Sequence, residues 1–241
     1  VVGKSGDSVR NQVGGWSLGW QNYPPFDQNT QQDFSGQSIL QAVKDAVGES
    51  NVTFSETAEG VHVNDYDAVI AAIGETPYAE FIGDINWNPL YSWGPTQGAI
   101  PDGYAAKQTL ENAVRNPEDL AVLDKVSGQG VPVITVFLSG RPLYTNKELN
   151  RSDAFVAAWL PGTEAGGITD VLFRNAKGAV NRDFYGKLSF SWPKSACQTP
   201  LNAAQPNYDP LFPYGFGLSY RKADRLPRLD EPTGPATGCP N

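Results

Sequence analysis

"DAVIAAIGETPYAEFIGD", residues 67–84, decides the fold. From Ala68 to Ile73 it is apolar at every position, as a strand covered on both faces must be. It then turns at once to Gly, Pro, Tyr and acid, carrying Glu75, Glu80 and Asp84 into loop. Open α/β folds keep their sites at the carboxyl ends of their strands. Acids delivered there are candidates for acid/base work; the plainer reading is a polar loop with incidental carboxylates.

Outward from this strand (66–74), the pattern alternates. "SILQAVKDAVG" (38–48) puts Leu40, Val43 and Val47 on one helical face, with Ser38 as N-cap and Gly48 as stop. "NVTFS" (51–55) reads as a short strand. Residues 107–116 and 117–130 read as helices, the second with Pro117 in its first turn. "VPVITVFLSG" (131–140) and "DAFVAAWLPG" (153–162) read as further buried strands. Residues 162–175 read as a helix whose glycines allow close packing, and "GKLSFSWP" (186–193) as an edge strand. Strands alternating with helices predict an α/β three-layer sandwich: a mainly parallel sheet with helices on both faces. After Pro193 the pattern is irregular, and residues 221–241 read as a tail.

Composition narrows the function classes. Of 241 residues, 40% are hydrophobic and 18% charged, so the chain folds. A formal net charge of −8 argues against nucleic acid or an anionic membrane as partner, since both call for a basic face. No run approaches the ~20 apolar residues of a membrane-spanning helix. Six Trp among few charges suit stacking against a flat neutral ligand such as a sugar. The start, "VVGKSGDS", reads as a strand entered partway, and with no Met in the chain it suggests part of a longer product.

Neither Cys197 nor Cys239 has a second Cys or a His nearby, so no metal site is expected and no cofactor is implied. A disulfide between them would pin the tail and imply an oxidising compartment. The single His, His62, reads as structural. There is no nucleotide-binding glycine fingerprint, and "GTEAGG" lacks the Lys and Ser/Thr of a phosphate loop.

Several motifs carry a resemblance: "GGWSLGWQ" (14–21), "GETPYAEFIGD" (74–84), "VFLSGRPLY" (136–144), "AAWLPGTEAGG" with "DVLF" (157–173), "GKLSFSWP" and "DPLFPYGFGLSY" (209–220). In this order they resemble the C-terminal half of glycoside hydrolase family 3, in its exo-acting β-glucosidases and β-glucan glucohydrolases, over residues 1–220. The resemblance implies a six-stranded α/β sandwich that follows a (β/α)8 barrel. That barrel is absent from this chain and is the expected intramolecular partner. It supplies the nucleophilic Asp, and the sandwich of the cereal-type enzymes supplies the acid/base Glu.

Pro77, Tyr78, Glu80, Gly83 and Asp84 match that Glu's segment, making Glu80 the candidate acid/base. Trp16 and Trp20 match the pair that lines the sugar beyond the cleaved bond. Glu75, nearer the strand end, reads as a support for the loop. Ile82 stands where the family usually has Lys, and residues 85–104 form a longer loop. The implied activity is retaining hydrolysis of a β-glucoside or β-glucan oligosaccharide, in the periplasm or outside the cell. The chain alone is expected to be inactive. The rival is a non-catalytic carbohydrate-binding or structural module, which would keep the Trp pair without needing Glu80.

Overall fold

The computed structural model describes residues 1–17, 19–22, 35–79, 83, 109–234 and 239. Glu80, Asp84 and the 85–104 loop lie outside the described residues.

Three parallel strands form the sheet in the order β1 (Val69–Gly74), β2 (Val133–Leu138), β3 (Ala154–Trp159). Every residue of β1 is buried, as its unbroken apolar run requires. β2 is buried at all positions but Ile134, whereas β3 is half-covered. Register runs from Val69 opposite Val133 to Gly74 opposite Leu138.

On one face, Val69, Ala71, Ile73, Val133 and Phe137 pack with Val122, Leu123 and Val126 of α4 (Pro117–Val126). On the other, Ile70, Ala72, Val136 and Leu138 pack with α2 (Ile39–Val47) and with Ile168 of α6 (Gly166–Leu172). The side-chain alternation of a strand thus feeds two cores, giving helices on both faces.

α2 spans the bounds its sequence sets. The Ser38 side chain accepts from the Gln41 amide, and Gly48 at φ 91° ends the helix with its N–H on the Lys44 carbonyl. Ser38 contributes the ~1 kcal/mol typical of such a cap. Pro117 sits at the start of α4, where its missing N–H has no intrahelical partner to lose.

Two expected strands are not strands. Residues 51–55 make only an isolated bridge, Ser55 to Val2, and Val2 bridges in turn to Ala71 of β1. Two rudimentary parallel segments therefore extend the β1 edge. "GKLSFSWP" holds a single antiparallel bridge, Trp192 to Phe212. The bridging residue, Trp192, plugs the first core, its ring 6.2 Å from those of Phe137 and Phe155 and 6.0 Å from Trp159, while Nε1 donates to Thr145 Oγ1.

Three helices are short: α1 (Val9–Val13), capped by Ser8, α3 (Asn112–Arg115) and α5 (Asn146–Leu149). α3 covers only the end of the 107–116 helix expected from sequence. The C-terminal segment is irregular yet fastened. Asn146 Nδ2 donates to the Asp230 carbonyl, Asn150 exchanges two bonds with Leu229, Tyr144 Oη donates to the Pro232 carbonyl, and the Gly234 amide donates to Glu111 Oε2. Cys197 and Cys239 are joined by a disulfide.

Candidate active-site edge

The carboxyl ends of all three strands converge on one edge. β1 ends at Gly74, whose backbone has φ 135°. A Cβ there would lie 1.9 Å from the Leu138 carbonyl oxygen, so only glycine lets β1 and β2 stay paired to their ends. The Gly74 amide donates to Asp119 Oδ2 of α4 at 2.9 Å, and the Glu75 amide continues the ladder to Leu138 at 2.9 Å.

Glu75 then turns inward. Its carboxylate is almost fully buried and accepts from Arg141 Nη2 at 2.7 Å and Nε at 3.2 Å, from Ser139 Oγ at 2.8 Å and from Tyr78 Oη at 3.0 Å. Arg115 Nε lies 3.4 Å away as a second cation. Burial opposes ionisation of Glu75, but Arg141 and Arg115, with the bonds from Arg141 and Ser139, outweigh it and hold the carboxyl below its usual range. Glu75 is therefore a fixed anion.

Tyr78 accounts for the Tyr and the Gly of the segment. Arg141 lies over its ring, 4.6 Å from the centroid. Gly83 meets the same ring so closely that a Cβ would stand 2.4 Å from Cδ2, and a Cβ on Gly140 would stand 2.9 Å from the phenol oxygen. Burial first, then the Glu75 charge, raises the phenol pKa well above its ordinary value, so Tyr78 stays a neutral donor. Arg141 Nη1 also donates to the Gly83 carbonyl.

The Trp loop abuts this edge. It leaves α1 at Gly14, φ 70°, where a Cβ would strike Leu160 just past β3. At Gly15 a Cβ would stand 2.1 Å from the Tyr78 carbonyl oxygen, so the two backbones touch. Gln21, buried, accepts from the Ala79 amide at 2.7 Å. Trp16 is 65% exposed with its backbone at φ 57°, and Trp20 is half-buried with its ring centroid 6.3 Å away. The Trp16 amide donates to the Trp20 carbonyl at 3.0 Å, closing the loop on itself.

The structure thus brings Trp16, Trp20 and the backbone leading into Glu80 to one edge; Glu80 itself lies outside the described residues. Cys197 and Cys239 are remote in role, holding the tail. Gln21, Ser139, Arg115 and Arg141 escaped the sequence reading, because nothing local links them to Glu75 or Ala79. The available signal was "SGR" directly after a buried strand. Among the described residues, no group of His, Cys, Asp and Glu could hold a metal ion.

A family model for the "Glycosyl hydrolase family 3 C-terminal domain" matches residues 1–220. The exo-1,3/1,4-β-glucanase from a Pseudoalteromonas species is similar at 40% identity with a TM-score of 0.77, over 97% of this chain and 26% of that one. A periplasmic β-glucosidase of Salmonella typhimurium is 29% identical over 91% of this chain and 31% of its own length. A lysosomal β-glucosidase of Dictyostelium discoideum is 28% identical over 91% of this chain and 25% of its own. The chain therefore spans about a third or less of these relatives. A β-glucosidase from Listeria innocua, 23% identical with a TM-score of 0.58, shares the fold. With the matched region running from the first residue through Tyr220, the chain belongs to the glycosyl hydrolase family 3 C-terminal domain family.

Proposed function

We propose that this domain supplies half of the active site of a retaining, exo-acting β-glucosidase or β-1,3/1,4-glucan glucohydrolase. Glu80 is the acid/base, and Trp16 and Trp20 grip the leaving sugar. The nucleophilic Asp comes from a (β/α)8 barrel of the same protein. The observation that carries this reading is the seam between the two motifs: the Ala79 amide on Gln21, and Gly15 against the Tyr78 carbonyl. Residues separated in sequence share one rigid edge, with an exposed Trp beside the backbone that leads into the acid.

Retention needs two carboxyls about 5–5.5 Å apart, one attacking the anomeric carbon while the other protonates the departing oxygen and later activates water. In this reading Glu80 protonates the glycosidic oxygen as the bond to the anomeric carbon breaks, then takes a proton from the water that releases the sugar. Trp16 and Trp20 offer apolar ring faces to the sugar's axial C–H groups and fix the leaving group against Glu80. Glu75 does not compete for the role, because a carboxylate held by two arginines has no proton to give.

The six-stranded sheet expected for such a domain belongs to this proposal. It is supported by the two rudimentary segments that Val2 joins to the β1 edge. A periplasmic or secreted location is supported by the periplasmic relative and the disulfide.

The test is Glu80→Ala in the full-length protein. Turnover of substrates with poor leaving groups should fall by about 10²–10⁴-fold, the usual worth of general-acid help. Activated aryl β-glucosides should suffer far less, and azide should restore their turnover. Glu75→Ala should show neither effect. Hydrolysis of β-glucosides by the isolated 241-residue chain would sink the shared-site reading.

A further inference from the structure

Arg141 has more to do than neutralise Glu75. Its guanidinium makes a two-pronged contact with Glu75 Oε1, covers the Tyr78 ring, and donates through Nη1 to the Gly83 carbonyl. Glu75 and Gly83 are the two ends of the segment that contains Glu80. Tyr78, in its middle, is packed against Arg141 and Gly83 and bonded to Glu75. One side chain, arriving from the end of β2, thus grips the start, middle and close of a loop that belongs to β1.

We propose that Arg141 is a positioning residue for the general acid: it closes the Glu75–Gly83 loop and so fixes where Glu80 stands against the leaving oxygen. This rests on the assignment of Glu80 above. The chemistry asks for Arg specifically. A planar guanidinium can stack on the phenol and send separate N–H groups to a carboxylate and a carbonyl, while a Lys ammonium is a single point charge without the fork. Arg115, seated on α3, supplies a second positive charge to Glu75 in the same cluster. Loss of the Arg141 grip therefore leaves Glu75 with a cation but frees the Gly83 end of the loop.

Arg141→Lys and Arg141→Ala, made in the full-length protein beside Glu80→Ala, test this. kcat and KM are measured over a series of β-glucosides whose leaving groups range from activated phenols to alcohols. Arg141→Lys should lower kcat for the poorest leaving groups by about 10²-fold, the scale of a small misplacement of a reacting group. Activated substrates should be affected much less, and KM should move less than kcat. If Glu80→Ala shows steep leaving-group dependence and both Arg141 variants lose activity uniformly, Arg141 only supports the fold and this inference falls alone. If Glu80→Ala is itself flat across the series, the acid assignment fails first and takes this inference with it. Should Arg141→Ala not fold, Arg141→Lys decides; if neither folds, the residue is a structural support and the inference is overturned.

Discussion

The Ala79 amide donates to Gln21 Oε1 at 2.7 Å, which hangs the residue preceding Glu80 on the loop that carries Trp16 and Trp20. Gln21→Leu keeps the bulk and removes the acceptor. The Ala79 N–H is half-buried, so leaving it unsatisfied costs about 1 kcal/mol, the low end for such groups, and each kcal/mol is worth roughly 2–4 °C in a chain of this size. Calorimetry should therefore show Tm falling by about 2–4 °C. An unchanged Tm would mean that water takes the place of the Gln21 side chain.

The two Trp should separate cleanly. Trp16 is largely exposed, so Trp16→Ala should leave Tm almost untouched while weakening oligosaccharide processing more than hydrolysis of a small aryl glucoside. Trp20, half-buried, should cost both when truncated. Losing an aromatic platform is worth about 1–3 kcal/mol, a scale taken from base stacking. Equal losses on long and short substrates would place both rings in the fold and not on the sugar.

Glu148 offers a pH test with a definite sign. Burial first, then the Asp119 and Glu111 charges, raises its pKa to about 7 from the ordinary 4.5, against the bond donated by Asn112 Nδ2 at 3.0 Å. A carboxyl whose pKa is raised by folding binds more protons folded than unfolded, so stability falls as pH rises between those two values. Glu148→Gln keeps the acceptor for Asn112 and removes the charge. It should raise stability at pH 8 by up to about 3 kcal/mol, at about 1.4 kcal/mol per pH unit, and give no gain at pH 4.5. Glu75 runs the other way. Its folded pKa lies below the unfolded one, so its contribution is complete above the ordinary value and is lost as acid titrates it. Denaturant unfolding at a series of pH values checks both slopes.

The Cys197–Cys239 bridge closes a loop across 42 positions of sequence. The chain-entropy account gives about 4 kcal/mol for a loop of that size. Cys197→Ser with Cys239→Ser, or mild reduction, should lower the denaturation midpoint and loosen the fastening at Asn146, Asn150 and Glu111. Hydrogen exchange at Leu229 and Gly234, whose amides these residues hold, reads that loosening directly. Alkylation of the unreduced, unfolded chain should label no thiol.

The legible parts of this chain are those whose signals are local. α2 is bounded by a serine and a glycine that act on their own neighbours, and β1 to β3 announce themselves as apolar runs. α1 and α5 are too short to show a period, and helices of that length do not hold on propensity alone. "GKLSFSWP" has a strand's composition, yet it pairs only through the bridge from Trp192 to Phe212, while the Trp192 ring fills the aromatic core. The same limit governs the site. Trp16 and Trp20 stand out within a few residues of each other, whereas Arg141 meets Glu75 across 66 positions of sequence. No reading of either neighbourhood joins them.

Gly74 also bears on how this edge can change over time. With its N–H on Asp119 and no room for even one added carbon, it is a position at which every alternative residue separates β1 from β2 just before the loop begins. Beyond it, Glu75 and Tyr78 are held by side-chain contacts, which a substitution can alter without forcing the paired backbones apart. Gly74 itself is closed to drift, and a saturation library screened for folded protein should retain glycine there and lose all other residues. Diversity at this edge therefore has to enter downstream of this one glycine.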